Sequence, residues 1–212
     1  MFRSLHWMAL LVTLGLASNA RALPLISEVL YDAFGSDNGA VFVEIYGIAG
    51  TRLDGFRLEG VNGSNGSVGP VVLLSGSIPS NGFFVVADDR GDGQSDVPAA
   101  DWIANFDFQN GPDSIVLRDP DGAIVDAVGY GAFDPGEVFA GEGAAAPDVA
   151  AGSSLARVFA DLDTNDNATD FRPSASPTPG SGPLSSIPEP ASGGLLALGL
   201  AGLAFLGRRK TA

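Results

Sequence analysis

The sequence predicts an all-β sandwich. Short runs rich in Val, Ile, Phe and Leu are separated by glycine and proline, and no 3.6-residue apolar period is sustained outside the two ends. About 160 residues lie between those ends, enough for one domain with a real core. Leu25–Tyr31 is the first run and Ala40–Tyr46 the second. In the latter, Val41, Val43 and Ile45 face one way and Phe42, Glu44 and Tyr46 the other, as a strand requires. Gly55–Leu58 and Pro70–Leu74 follow, divided by a loop marked by Asn62-Gly63 and Asn65-Gly66. Gly82–Ala87, Trp102–Phe106, Ser114–Leu117 and Ile124–Val128 complete the set, with Asp121-Gly122 read as a two-residue hairpin turn between the last two. Beyond them, Pro135–Gly152 is Gly/Ala-rich and reads as a loop. Ser174–Pro190 is Ser/Pro/Gly-rich and reads as an extended stalk that cannot pack a core.

The two ends have a different character. Met1–Ala22 carries Arg3, an apolar stretch from Trp7 to Ala17, and Ala20-Arg21-Ala22 as a small-x-small cleavage site. This is the layout of a secretory signal peptide cut after Ala22, and its apolar stretch is short for an uncleaved anchor. At the other end, Pro188-Glu189-Pro190 precedes the charge-free run Ala191–Gly207, which is followed by Arg208, Arg209 and Lys210. Seventeen helical residues rise roughly 25 Å, a short transmembrane span, and the cations would stay cytoplasmic. The tripartite tail resembles the PEP-CTERM sorting signal of Gram-negative bacteria. That resemblance implies an exosortase-type processing enzyme as partner, transient anchoring in the inner membrane, and delivery to the outer surface or an extracellular matrix. A plain single-span anchor on a Pro-rich stalk is the alternative. The expected organisation is a signal peptide (1–22), a β-sandwich domain (23–182), a stalk with the Pro-Glu-Pro motif (183–190), a transmembrane segment (191–207) and a basic cytoplasmic tail (208–212).

Without the two ends, six arginines face 25 acidic residues, a net charge of −19. Such a surface repels nucleic acid and anionic lipid, so no nucleic-acid partner is expected. Divalent cations, basic patches and polar glycans remain compatible with it. The segment holds no Lys, Met or His, and the chain has no Cys. Disulfides, thiolate nucleophiles, Cys/His zinc sites, Schiff-base lysines and histidine bases are therefore excluded.

The order of the strand-like pieces resembles the lamin-tail domain family. Ile26-Ser27-Glu28-Val29-Leu30-Tyr31-Asp32 is similar to its opening strand, and Phe42-Val43-Glu44-Ile45-Tyr46 to its Phe-Val-Glu-Leu-Tyr strand, with Gly47 where Asn is usual. Leu53-Asp54-Gly55-Phe56-Arg57-Leu58 resembles a Leu-x-Gly-Trp-x-Leu element with Phe56 in place of Trp. Ile78 to Ala87 looks like the Pro-x-x-Gly-aromatic strand, and Asn110 to Gly131 like the closing hairpin. Ser153–Arg157, Asp170-Phe171 and Pro177–Gly180 are similar to a tail carried by bacterial members. The resemblance spans about Leu25 to Gly182. It implies an immunoglobulin-like β-sandwich that binds or scaffolds and has no catalytic residues to carry over.

Among candidate sites, Asp161, Asp163, Asn165 and Asp166 place oxygen ligands in one short loop, as a hard cation such as Ca²⁺ requires. The loop departs from an EF-hand, with Asp166 at the sixth position instead of Gly and Arg172 at the twelfth instead of Glu. A solvated turn of Asx side chains is the plainer account. Asp88-Asp89-Arg90-Gly91-Asp92-Gly93 with Asp96 is a second acidic loop, read as a flexible connection. Glu28 and Glu44 could pair for glycoside hydrolysis, but strand carboxylates bonded to backbone or arginine are preferred. Tyr31, Tyr46, Tyr130 and Trp102 are read as core or interface and not as sugar platforms. Three Asn-x-Ser/Thr sites, at Asn62, Asn65 and Asn167, carry little weight in a bacterium. The expectation is an exported, non-catalytic binding or structural module without an enzyme's cofactor, partnered by extracellular polysaccharide or envelope proteins. A Ca²⁺-dependent glycan-binding module is the alternative, and a hydrolase ranks third.

Overall fold

The structure, a computed structural model, describes residues 23–185. The signal peptide with Ala20 and Ala22, the Pro188-Glu189-Pro190 motif, the apolar run and Arg208-Arg209-Lys210 lie outside the described residues. Among the described residues, no helix is long and apolar enough to cross a membrane.

Among the described residues, ten strands make two sheets, with one helical turn beside them. The strands are β1 (Leu25–Leu30), β2 (Phe42–Tyr46), β3 (Arg57–Asn62), β4 (Val68–Leu73), β5 (Phe83–Asp88), β6 (Ala100–Ala104), β7 (Asp113–Arg118), β8 (Ile124–Tyr130), β9 (Ser154–Arg157) and β10 (Phe171–Ser174), with α1 (Asn167–Asp170) before the last. The larger sheet has the order β10-β9-β1-β2-β5-β6 and the smaller β4-β3-β7-β8. All pairings are antiparallel except β5 with β6. Ile26, Val43, Ile45, Phe84 and Val86 of the larger sheet share one core with Leu58, Val72, Ile115, Leu117 and Val128 of the smaller. The protein is thus all-β, two sheets packed around a common core.

All eight expected runs become strands, and the alternation read for Ala40–Tyr46 holds. Val43 and Ile45 face the sandwich core, while Phe42 faces the outer side with Leu30, Val85 and Ala87. The third strand runs past Leu58 to Asn62. Its Glu59-Gly60 pair looks like a breaker in sequence, yet Glu59 pairs with both Arg57 and Arg118. A Cβ on Gly60 would come within 2.9 Å of the Phe108 ring, so this position in the strand needs glycine for clearance. The β7–β8 hairpin turns where Asp121-Gly122 predicts, but over three residues and not two. The Asp119 amide donates to the Ala123 carbonyl across Pro120, Asp121 and Gly122, and Gly122 takes φ +89°. Proline at the first turn position and a left-handed glycine at the last favour this longer form.

The stretch read as a free stalk also differs. Ser174, where that stretch begins, closes β10, and the chain from Thr178 to Ser185 is bonded onto the domain. Prolines and small residues bury little area of their own, but their main chain still offers donors to carboxylates. Two strands, β9 and β10, and the turn α1 went unread because each is only four residues long. Pro135–Gly152 is a loop as expected, pinned by pairing of Ala146 with Tyr130 and by burial of Ala146 and Val149.

Candidate functional site

Two groups of buried charge stand out, one inside the sandwich and one on the outer face of the larger sheet. The first is built around Arg157, the last residue of β9, whose side chain is wholly shielded from solvent. Its guanidinium donates to the Ile26 carbonyl at 2.8 Å, the Leu162 carbonyl at 3.1 Å and Asp170 at 3.0 Å. It grips both oxygens of Asp126 at 2.9 and 3.0 Å and lies 4.6 Å above the Phe171 ring. Asp163 sits 3.5 Å from the same guanidinium. One arginine therefore ties β1, β8, α1, β10 and the 158–166 loop together.

Asp126, Glu142 and Asp163 bring their carboxylate oxygens within 4.8 Å of one another. Burial, then the carboxylates of Asp126 and Asp163, push Glu142 up to about 7. Burial also raises Asp126, against the pull of the Arg157 fork and the Ile26 amide. Glu142 Oε2 is shielded and has no hydrogen-bond donor. A proton on Glu142, directed at Asp126, accounts for both observations, because three ionised carboxylates around one arginine would repel. Asn167 anchors this corner: its Oδ1 accepts from the Gly129 and Glu142 amides and its Nδ2 donates to the Ala127 carbonyl. Asn167 is fully buried, so its Asn-Ala-Thr sequence offers no glycosylation acceptor on the folded surface.

The four residues read as a cation loop separate. Asp161 accepts from the Ser185 amide and hydroxyl, both at 2.6 Å. Asp163 accepts from the Asn165 amide, and Asn165 takes φ +56°. Asp166 caps α1 by accepting from Ala168 and also from Ala144. Of the four, only Asp163 enters the carboxylate cluster found among the described residues. Its partners there, Asp126 and Glu142, come from distant segments and could not be read from local spacing.

The second group is the pair Glu28 and Glu44, direct partners across β1 and β2 and both buried. Glu28 accepts from the Ser154 hydroxyl and from the Thr178 amide and hydroxyl. Glu44 accepts from the Ser27 hydroxyl at 2.7 Å and the Gly180 amide at 2.7 Å. Asn81 adds a bond to the Gly180 carbonyl, and Asp161 fixes Ser185. The glutamates thus latch residues 178–185 across the outer face of the larger sheet. Burial pushes Glu44 up to about 7, against the hydrogen bonds from Ser27 and Gly180. Their oxygens face internal donors and not an open cleft, which is the arrangement preferred in the sequence reading.

The second acidic loop also closes on itself. Arg90 pairs with Asp92 and Asp96, and Asp89 accepts from the Gly91 and Gly93 amides. Tyr31 and Tyr130 stack in the core at 4.2 Å and 8°, and the Tyr31 hydroxyl binds Asp148. Trp102 packs half-buried against the core.

Comparison with known proteins bears on the tail. Residues 186–210 match the family model described as the PEP-CTERM protein-sorting motif. The motif marks an exported, envelope-associated protein that an exosortase-type enzyme processes. The match covers the tail alone and assigns no family to the domain before it. No curated protein matches the chain.

Proposed function

We propose that the chain is a non-catalytic binding or structural module, an immunoglobulin-like sandwich of lamin-tail type. It is displayed at the surface or in the extracellular matrix of a Gram-negative cell, where extracellular polysaccharide or envelope proteins are its partners. The observation that carries this reading is the state of Glu28 and Glu44. This carboxylate pair, considered above for glycoside hydrolysis, is buried, and its oxygens hold the main chain of Thr178 and Gly180. A hydrolase needs one such group open to substrate and another free to exchange a proton. The absence of His, Cys and Lys between the two ends supports the same conclusion.

Processing is tested by the mass of the protein recovered from a host with an exosortase-type enzyme. The expected product begins at Leu23 and has lost Arg208-Arg209-Lys210. A mass that includes every residue through Ala212 would refute it.

The second reading is a Ca²⁺-dependent glycan-binding module, favoured by the donor-free Glu142 Oε2 beside Asp126 and Asp163. Arg157 already places a positive charge among these carboxylates, which is why this reading ranks second. Calorimetric titration of the mature domain with Ca²⁺ at neutral pH is expected to show no heat of binding and no rise in unfolding temperature. A saturable heat with such a rise would put the second reading first.

A further inference from the structure

Both chain ends leave the sandwich at one pole. Leu25 pairs with Tyr46 across β1 and β2, so continuing that antiparallel register places Leu23 beside Ile48. A Cβ on Gly47 would lie 3.5 Å from the Pro24 Cα, in keeping with that placement. At the same pole, Phe83 pairs with Tyr46, Gly182 packs on the Phe83 ring, and the Ala160 amide donates to the Pro183 carbonyl. Leu23, Ile48, Leu162 and Leu184 are 59, 51, 43 and 48 % exposed there. Ile48 also borders an open groove of about 560 Å³ lined by Arg52 and Phe56.

The opposite pole is different in kind. Asp37, Asp88 and Asp107 line a cleft of about 120 Å³, and burial, then the carboxylates of Asp37 and Asp88, raise Asp107. Asp89 leads out of the same end of β5, where its amide donates to the Ala104 carbonyl. The tail-bearing pole therefore groups four exposed apolar side chains beside the Arg52–Asp54 pair and Asp161, and the other carries clustered carboxylates together with Arg90 and the exposed Phe34.

The latch gives this polarity a consequence. Residues 178–185 are held by Glu28, Glu44 and Asp161 and cannot pay out as slack. Five residues, 186–190, remain before the apolar run begins at Ala191. Even fully extended they span about 17 Å. We infer that the pole bearing Leu23, Ile48 and Leu184 lies against the lipid surface until the tail is cut, with the carboxylate pole turned outward. The inference rests on the reading of 191–207 as membrane-inserted before processing. Apolar side chains gain by entering the headgroup boundary, and clustered carboxylates are kept from anionic lipid. Cutting the tail then frees the apolar pole along with the domain.

The absence of cysteine makes the test direct, since one introduced thiol takes one label. Chains of residues 23–212, the form left once the signal peptide is cut, carrying Ile48→Cys or Ser36→Cys and each labelled with a fluorophore, are reconstituted in phosphatidylethanolamine–phosphatidylglycerol vesicles bearing a headgroup quencher. The label at position 48 is expected to be quenched several-fold more than the label at 36. A flexible Gly/Ser insertion between Ser185 and Pro188 should bring the two towards equality. Flotation with the vesicles but equal quenching at both positions in the uninserted chain overturns the orientation and leaves the tail's membrane role standing. Failure to float with the vesicles overturns both.

Discussion

Arg157→Ala is expected to lower the unfolding temperature of the mature domain by roughly 10–15 °C, corresponding to about 3–5 kcal/mol for breaking a buried ion pair. The arginine contributes little through its own area. Its loss matters because Asp126 is wholly buried and Asp170 nearly so, and both would lose their cationic partner, keeping only the Ile26 and Ala127 amides and the Thr164 donors respectively. The carbonyls of Ile26 and Leu162 would lose a donor at the same time. Such a loss is a large share of the roughly 5–15 kcal/mol that holds a domain together. Arg157→Lys is expected to recover only part of it, because one ammonium cannot span both oxygens of Asp126 and still reach Asp170. Arg90→Ala is the control: its pairs with Asp92 and Asp96 are at the surface and should leave the transition where it is. Scanning calorimetry at neutral pH reads all three. An Arg157→Ala domain that melts within a few degrees of the parent would show that the hub does not hold the sandwich.

That hub marks where sequence reading stops. Strands β1 to β8 are legible because each is a short run rich in Val, Ile, Leu or Phe or a stretch beside one, with Gly, Pro, Asn or Asp near its ends. Ser154-Leu155-Ala156-Arg157 has neither signal, and an arginine at a strand end reads as solvated. What buries it is the meeting of Ile26, Asp126, Leu162 and Asp170, which lie up to 131 residues from Arg157 in sequence, and no local pattern encodes that. The same limit explains the acidic loop. Its oxygen-rich composition is visible, but the sequence does not show that Asp161 turns to Ser185 and Asp166 to the first turn of α1 while Asp163 alone turns inward. Composition also misread residues 174–185, since a Pro- and Ser-rich stretch docks through its main-chain donors and not through apolar area. Glu28 and Glu44 were visible as strand carboxylates. That they pair with each other and receive this segment follows only from strand order.

Stability is expected to fall as pH rises from about 4.5 towards 7, and Glu44→Gln should remove the part of that slope that Glu44 contributes. Burial raises the Glu44 carboxyl from 4.5 to about 7 in the folded protein. Between those values the folded chain holds a proton that the unfolded chain has released, so raising the pH favours unfolding. The loss is complete above about 7, where the buried group is ionised. A shift of that size corresponds to about 3 kcal/mol. Burial also raises Glu142 to about 7, with Asp126 and Asp163 adding to it, so a slope of the same sign and comparable size should survive in Glu44→Gln. Glutamine suits the site: its oxygen can accept from the Gly180 amide while its amide donates to the Ser27 hydroxyl, so the latch keeps both contacts. Urea unfolding of parent and variant from pH 5 to 8 should therefore give curves that diverge with rising pH, the variant gaining on the parent. Parallel curves would mean that Glu44 is ionised throughout and that its donors, the hydroxyl of Ser27 and the amides of Gly180 and Ser181, outweigh burial. Only then would the latch be a charge-assisted clamp at every pH, and the outer face of the larger sheet would hold its C-terminal segment most firmly in neutral medium, the reverse of the order argued from burial.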